Sequence, residues 1–449
     1  MKKVLLSTTF FILGSSIAVA GSNVLYNESL GTVPTFVSPQ NSDVTGSIPL
    51  VTKSGVINAP NSFAAPNWTG PYVGVNVGAG WANTQLGVPG VASFSGVGMY
   101  GVTGGLTGGF DYQFTERLVA GLAIDGNVNS TNAAGSITGL GNAEFREAAS
   151  WALRGRVGVL TSEETMIYAT AGVSEAFTDL SFPNTPGVGG GGGARYVGPV
   201  FGAGIETHLT GNLYAHAEYI HGVYDKRWFG GGSFEAEPTT GLARVGLIYR
   251  PMSSAGGPNG ERSMPLRESW TGAYVGIQGG WGWNSTSLSN PNAFSANGIG
   301  GSGPVGGLLV GYDYQIDQSV AGLEMDASAA GVKSSLAILP VSGQINYDWD
   351  YSIRGRFGRV FCNTLLFGTA GWAQTHGQLT TVGLGGITAN HLFTGFQFGG
   401  GLETMLTAHV GARLEYLQSF YDKYASVLGS SIDATPTAGK ARAAVVYKF

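Results

Sequence analysis

The stretch Tyr72-Val-Gly-Val-Asn-Val-Gly-Ala-Gly-Trp81 alternates without a break. Successive side chains of a strand point to opposite faces. Val73, Val75, Val77, Ala79 and Trp81 therefore share one side, and Tyr72, Gly74, Asn76, Gly78 and Gly80 the other. The pattern returns in the second half, where Val275, Ile277, Trp281 and Trp283 oppose Gly276, Gln278, Gly280 and Gly282. About ten residues tilted at roughly 45° cross a hydrocarbon core. The apolar side is expected to meet lipid, with Trp at the membrane boundary.

The surrounding sequence is also said twice. Trp68-Thr-Gly-Pro-Tyr-Val-Gly-Val returns as Trp270-Thr-Gly-Ala-Tyr-Val-Gly-Ile, Phe110-Asp-Tyr-Gln as Tyr312-Asp-Tyr-Gln, and Arg154-Gly-Arg-Val-Gly as Arg354-Gly-Arg-Phe-Gly. Tyr224-Asp-Lys returns as Tyr421-Asp-Lys, and the order is kept throughout. A duplicated unit this long is domain-sized, not solenoid-sized.

Composition narrows the class. The chain has 449 residues, 75 of them glycine, with 11% charged residues against about 25% in an ordinary soluble domain. Past the N-terminus no run of about 18 apolar residues could form a membrane helix. Few charges, many glycines and aromatics, and no helical span together indicate a membrane β-barrel. The glycines lack the three-residue period of collagen.

Residues 1–20 read as an export signal: Lys2 and Lys3, a mostly apolar run from Val4 to Ile17, then Ala18-Val-Ala20 as the cleavage site. Loss of both lysines takes the formal charge from −5 to −7. No basic patch remains for nucleic acid. With Cys362 as the single cysteine, an internal disulfide is impossible, so a closed backbone ladder must hold the fold.

Residues 21–67 form a polar leader without periodicity, expected to be flexible and periplasmic. Repeat one runs over 68–250, a Pro/Gly/Ser linker over 251–269, and repeat two over 270–449. About eight strands per repeat are expected, near Tyr72, Gly104, Gly121, Arg154, Tyr168, Gly202, Tyr214 and Arg244 in the first. Connections after odd strands are long and rich in Gly, Ser and Asn, such as Ala82–Tyr100 and Ser181–Tyr196. Those after even strands are short: Thr115-Glu-Arg, Ser162-Glu-Glu, Thr210-Gly-Asn. Bacterial outer-membrane barrels place short turns in the periplasm and long loops outside. The expected fold is an all-β, antiparallel, up-and-down transmembrane barrel. Two tandem eight-stranded barrels are preferred, and one sixteen-stranded barrel is the alternative.

Charges recur on the side opposite the apolar one. Repeat one places Asp125, Arg154, Arg156, Glu206, Glu218 and Arg244 there, together with Asp111. Repeat two places Glu324, Asp326, Arg354, Arg356, Glu403, Arg413, Glu415 and Arg442 there. A charge facing lipid at mid-bilayer costs about 2–4 kcal/mol, so these are expected to point into the lumen. They could ring a conducting pore or fill a narrow interior with paired charges. Interleaved glycines such as Gly155, Gly158 and Gly246 leave room for long arginines and favour filling.

The Trp-Thr-Gly-x-Tyr-Val-Gly starts, the Asp-Tyr-Gln and Arg-Gly-Arg-x-Gly segments, Tyr219 and Tyr416 each preceded by Glu, and the closing Val445-Val-Tyr-Lys-Phe449 resemble one family. It is the porin-like family of small Gram-negative outer-membrane proteins, often described as surface immunogenic, with an OmpA-like barrel. The resemblance covers both repeats. It implies eight-stranded barrels, residence in outer-membrane lipid, surface exposure and no cofactor. Tyr447 and Phe449 look like the terminal signal read by the barrel-assembly machinery. Some relatives are described as haemin-binding, which would engage the loop histidines His376 and His391. Two departures stand out: such proteins usually carry one barrel, and the first repeat ends Tyr249-Arg-Pro251 without a terminal Phe.

No enzyme is expected. Cys362 sits in a short turn with no His beside it, and His208, His216, His221, His376, His391 and His409 form no metal-ligand spacing. Gly187-Val-Gly-Gly-Gly-Gly-Gly lacks the ending of a phosphate loop and reads as surface linker. The expected role is structural and surface-exposed. A diffusion porin, or a receptor or adhesin meeting an extracellular ligand or host surface through its loops, are the alternatives.

Overall fold

The computed structural model describes residues 67–88, 92–137, 141–181, 192–229, 234–252, 267, 269–290, 292, 294–338, 341–382, 388–425 and 433–449. The expected signal, nearly all of the leader, most of the linker and residues 187–191 of the glycine run lie outside them. The first repeat contains β1 (Gly70–Val88), β2 (Ala92–Gln113), β3 (Leu118–Ile137), β4 (Gly141–Ser162), β5 (Thr165–Ser181), β6 (Gly192–Thr210), β7 (Leu213–Val223), β8 (Arg227–Phe229) and β9 (Phe234–Tyr249). The second contains β10 (Gly272–Asn290), β11 (Phe294–Ile316), β12 (Ser319–Ile338), β13 (Val341–Phe361), β14 (Thr364–Val382), β15 (Thr388–Met405), β16 (Val410–Tyr421) and β17 (Asp433–Lys448).

Every pairing is antiparallel. β1 pairs β2 with Val77 opposite Gly104 and pairs β9 with Val77 opposite Val245. The ladders continue from β2 through β7, and β7 pairs β9 with Glu218 opposite Arg244. β8 adds three residues to the end of β9. The ladders of the second repeat follow the same order, and β10 pairs β17 with Trp283 opposite Gly439. Three further ladders tie the repeats together far from the short turns. Residues 92–95 of β2 pair with β12, residues 294–297 of β11 pair with β3, and Val97 meets Ile299. Through them all seventeen strands share one sheet.

Alternation sorts the two faces. Val73, Val75, Leu106, Leu122, Val157 and Phe201 are exposed on the outer face, whereas Tyr72, Asp125, Arg154 and Glu206 are buried on the other. The strands outrun the ten residues a bilayer needs. Much of Ala82–Tyr100, expected to be loop, is strand, since β1 runs to Val88 and β2 starts at Ala92. Each N–H and C=O needs a partner whatever its side chain, so the ladder continues beyond the lipid.

The three Trp residues of the apolar face do not mark the membrane boundary, and Trp281 is partly buried against the other two. Trp81 and Trp283 do face outward, but each is 2% exposed because the other repeat covers it. The Trp81 indole fills the notch over Gly439 and donates to Tyr416 Oη at 2.5 Å. Trp283 fills the notch over Gly241, its ring 5.5 Å from that of Tyr219. Any side chain at Gly439 or Gly241 would overlap these rings. The contact is reciprocal along its length. Ile205 and Ala217 pack with Leu402, and Thr165 Oγ1 lies 3.1 Å from Thr364 Oγ1.

Candidate functional site

The inward charges form square layers, the one nearest the short turns built from every second strand and the next from two adjacent pairs, β3 with β4 and β7 with β9. Nearest the short turns in repeat one, Asp111 of β2 and Glu206 of β6 face Arg156 of β4 and Arg250. Arg156 pairs with Asp111 and, at 3.1 Å, with Glu206. Arg250 reaches Asp111 at 2.6 Å and Glu206 at 2.7 Å. The next layer joins Asp125 and Glu218 to Arg154 and Arg244 through four contacts of 2.6–2.7 Å. All eight groups are buried.

Repeat two has the same corners and a further pair. Arg356 meets Asp313 at 3.6 Å and Glu403 at 2.7 Å, while Lys448 meets them at 2.9 and 3.1 Å. Asp326 and Glu415 are shared by Arg354 and Arg442. Between the layers Glu324 pairs with Arg354 and Arg413, and Arg413 also reaches Glu403 at 2.8 Å. Repeat one has Ala123 and the buried His216 in those two positions. Cations lie over rings as well: Arg156 is 4.3 Å from the Tyr72 centroid and Arg356 is 4.2 Å from Phe367. A buried pair contributes little net stability, but removing one partner strands a charge at a cost of about 3–5 kcal/mol.

Arg250, Lys448, Asp313 and Glu147 were not picked out from sequence as lining residues. Arg250 and Lys448 share parity with Arg244 and Arg442 six positions earlier, but they sit at the strand ends where a linker or terminal signal is the natural reading. Glu147 was hidden by a β-bulge. The β4–β5 register shifts between Glu147 and Ala149, which turns Glu147 inward where strict alternation would place Ala148.

Beyond the second layer the repeats diverge. In repeat one Asn127, Asn129, Thr131, Glu147, Ser150 and Ser174 line a cavity of about 40 Å³. Asn129 Nδ2 donates to Glu147 Oε1 at 2.8 Å, and Tyr224 Oη donates to Ser174 Oγ at 3.3 Å. The outer-face apolar band on β4 ends at Trp151, so Glu147 lies on its loop side. Burial pushes the Glu147 carboxyl up to about 7, against the Asn129 amide, which lowers it. In repeat two the same space is filled by Val305, Val332, Tyr347, Ala373, Phe393 and Tyr421.

The remaining residues separate. His376 pairs with Asp348 at 2.7 Å and stacks on Trp349, whereas His391 stacks on Tyr424. His376 stands opposite Leu392 and His391 opposite Gly377, so the two histidines point to opposite faces of the sheet and cannot hold one haem iron together. Tyr447 and Phe449 are exposed on the outer face, while Val446 and Lys448 are buried.

Residues 261–449 match the family model described as outer membrane protein beta-barrel domain. The 25 kDa outer-membrane immunogenic protein of Brucella canis is 29% identical over 182 residues, which cover 40% of this chain and 80% of that protein. This is an outer-membrane β-barrel protein. A 22 kDa outer membrane protein of Rhizobium leguminosarum bv. viciae is 31% identical over 157 residues, covering 34% of this chain and 65% of that protein. The match to a solved Pseudomonas aeruginosa FadL homologue covers 84% of this chain and 90% of that one at 11% identity, with a TM-score of 0.25. The outer-membrane β-barrel chain therefore sits in outer-membrane lipid, and its exposed Val, Leu and Phe side chains face acyl tails.

Proposed function

We propose that residues 68–250 and 270–449 fold as two eight-stranded barrels pressed side by side. Each lumen is plugged by its own ion pairs, and the protein serves a structural and surface-presenting role. The observation that carries the plug is the set of square charge layers, in which every member is buried and paired with two of opposite sign. An eight-stranded interior is just wide enough for side chains to fill it. Three observations support the two-barrel count. The β1–β9 and β10–β17 ladders return each repeat to its first strand. The reciprocal Trp81–Gly439 and Trp283–Gly241 contact is the self-complementary geometry of a twofold pair. The Brucella relative aligns over about the length of one repeat while covering most of its own.

On this reading residues 1–20 direct export, residues 21–67 are a periplasmic leader, and 251–269 link the barrels. Tyr447 and Phe449 are presented to the assembly machinery, and the long connections meet any extracellular ligand or host surface. The lining groups serve packing, with no catalytic role. Planar-bilayer recording of the purified protein tests the plug: the bilayer stays silent, and steady nanosiemens channels would favour a diffusion porin with one wide lumen.

A further inference from the structure

Repeat one keeps a hole of mixed polar and apolar lining where repeat two packs side chains, and the hole carries one charge too many. Its two layers match four carboxylates with four arginines. Glu147, above them, is 7% exposed, and among the described residues no cation pairs with it. Other titratable or charged groups facing it are Asp125 of β3, already shared by Arg154 and Arg244, and Tyr224 beyond β7. A buried ionised carboxylate without a counter-charge is costly, so it must find a cation or take a proton.

We infer that this chamber binds one bare monovalent cation of potassium or ammonium size, with Glu147 as its counter-charge. Glu147, Ser150, Ser174 and Asn127 present oxygens to a space that Ala152, Val200, Ile220 and Leu242 also line, so the polar groups have no solvent to compete for the ion. The volume of about 40 Å³ holds about two or three bodies the size of water, enough for a dehydrated small cation and too little for tetramethylammonium. A divalent ion suits it less, since calcium takes 6–8 oxygens and usually several carboxylates, and here one carboxylate is uncommitted. Among the described residues no three His, Cys, Asp or Glu side chains are grouped as a transition metal would need. The inference rests on repeat one closing as a barrel of its own, because the chamber is walled by strands from β1 to β9.

Equilibrium dialysis of the full chain in detergent micelles against radioactive rubidium, in a tetramethylammonium background on the alkaline side of neutrality, tests it. About one equivalent binds to the unaltered protein. Glu147→Gln abolishes binding, and Ser150→Leu, which fills the chamber while leaving the carboxylate, weakens it at least tenfold. Mobility on unboiled gels identifies folded protein, so either variant suffices if the other fails to fold. Absence of binding by the unaltered protein, or undiminished binding by a folded variant, overturns the site. Bilayer conductance reads the plug separately.

Discussion

The two repeats share their charge squares and part company above them. At equivalent bulges β4 turns Glu147 inward and β13 turns Tyr347 inward. Around Glu147 stand Asn129, Thr131 and Ser174; around Tyr347 stand Val332, Ala373 and Phe393. One backbone thus supports either a small, partly polar chamber or an apolar stopper. The layers below are common to both, so the squares belong to the fold and the space above them is free to vary.

The sharpest way to break the comparison is at a shared corner. Arg154→Leu leaves Asp125 and Glu218 with Arg244 alone and should cost about 3–5 kcal/mol, read as a lower urea midpoint in micelles or loss of the folded band on unboiled gels. Arg354→Leu tests whether the extra Arg413 of repeat two softens the same loss. The contact between repeats comes next. Trp81→Ala should cost about 3 kcal/mol, and Trp283→Ala less, because only Trp81 donates to a tyrosine hydroxyl across the contact. Equal effects would show that the hydrogen bond contributes nothing.

Exchanging the bulge residues sharpens the contrast above the layers. Tyr347→Glu buries a carboxyl in an apolar cluster and should cost about 2–3 kcal/mol, whereas Glu147→Tyr should cost far less. Glu147 also predicts a pH dependence. Its folded value of about 7 is raised above the ordinary 4.5, so the folded state favours the protonated form. Its contribution is most favourable below pH 4.5 and is lost as pH rises towards 7, and Glu147→Gln should flatten that part of the stability profile. The smallest effect lies in a turn. Cys362 holds φ at +54°, a conformation glycine adopts freely, so Cys362→Gly should raise stability by about 1 kcal/mol or less.

Much of this was legible in the chain because period-two alternation records which face each residue takes. Val73 to Ala79, Arg154 with Arg156, and Asp326 with Arg442 could be assigned to faces without coordinates. Parity fails at a bulge, which hid Glu147, and strand ends look like linkers, which hid Arg250 and Lys448.

By itself the sequence determined the class, the repeated segments and the side of the sheet on which most of the lining charges lie, since those follow from local alternation and composition. Only the tertiary structure decided that Trp81 and Trp283 leave the lipid for each other's glycine notch and that Arg250 and Lys448 complete the squares. It alone also showed that the first repeat keeps a small cavity where the second is filled. Alternation says which face a side chain takes, but what stands opposite depends on register, closure and the neighbouring repeat, and those are set by contacts between residues far apart in the chain.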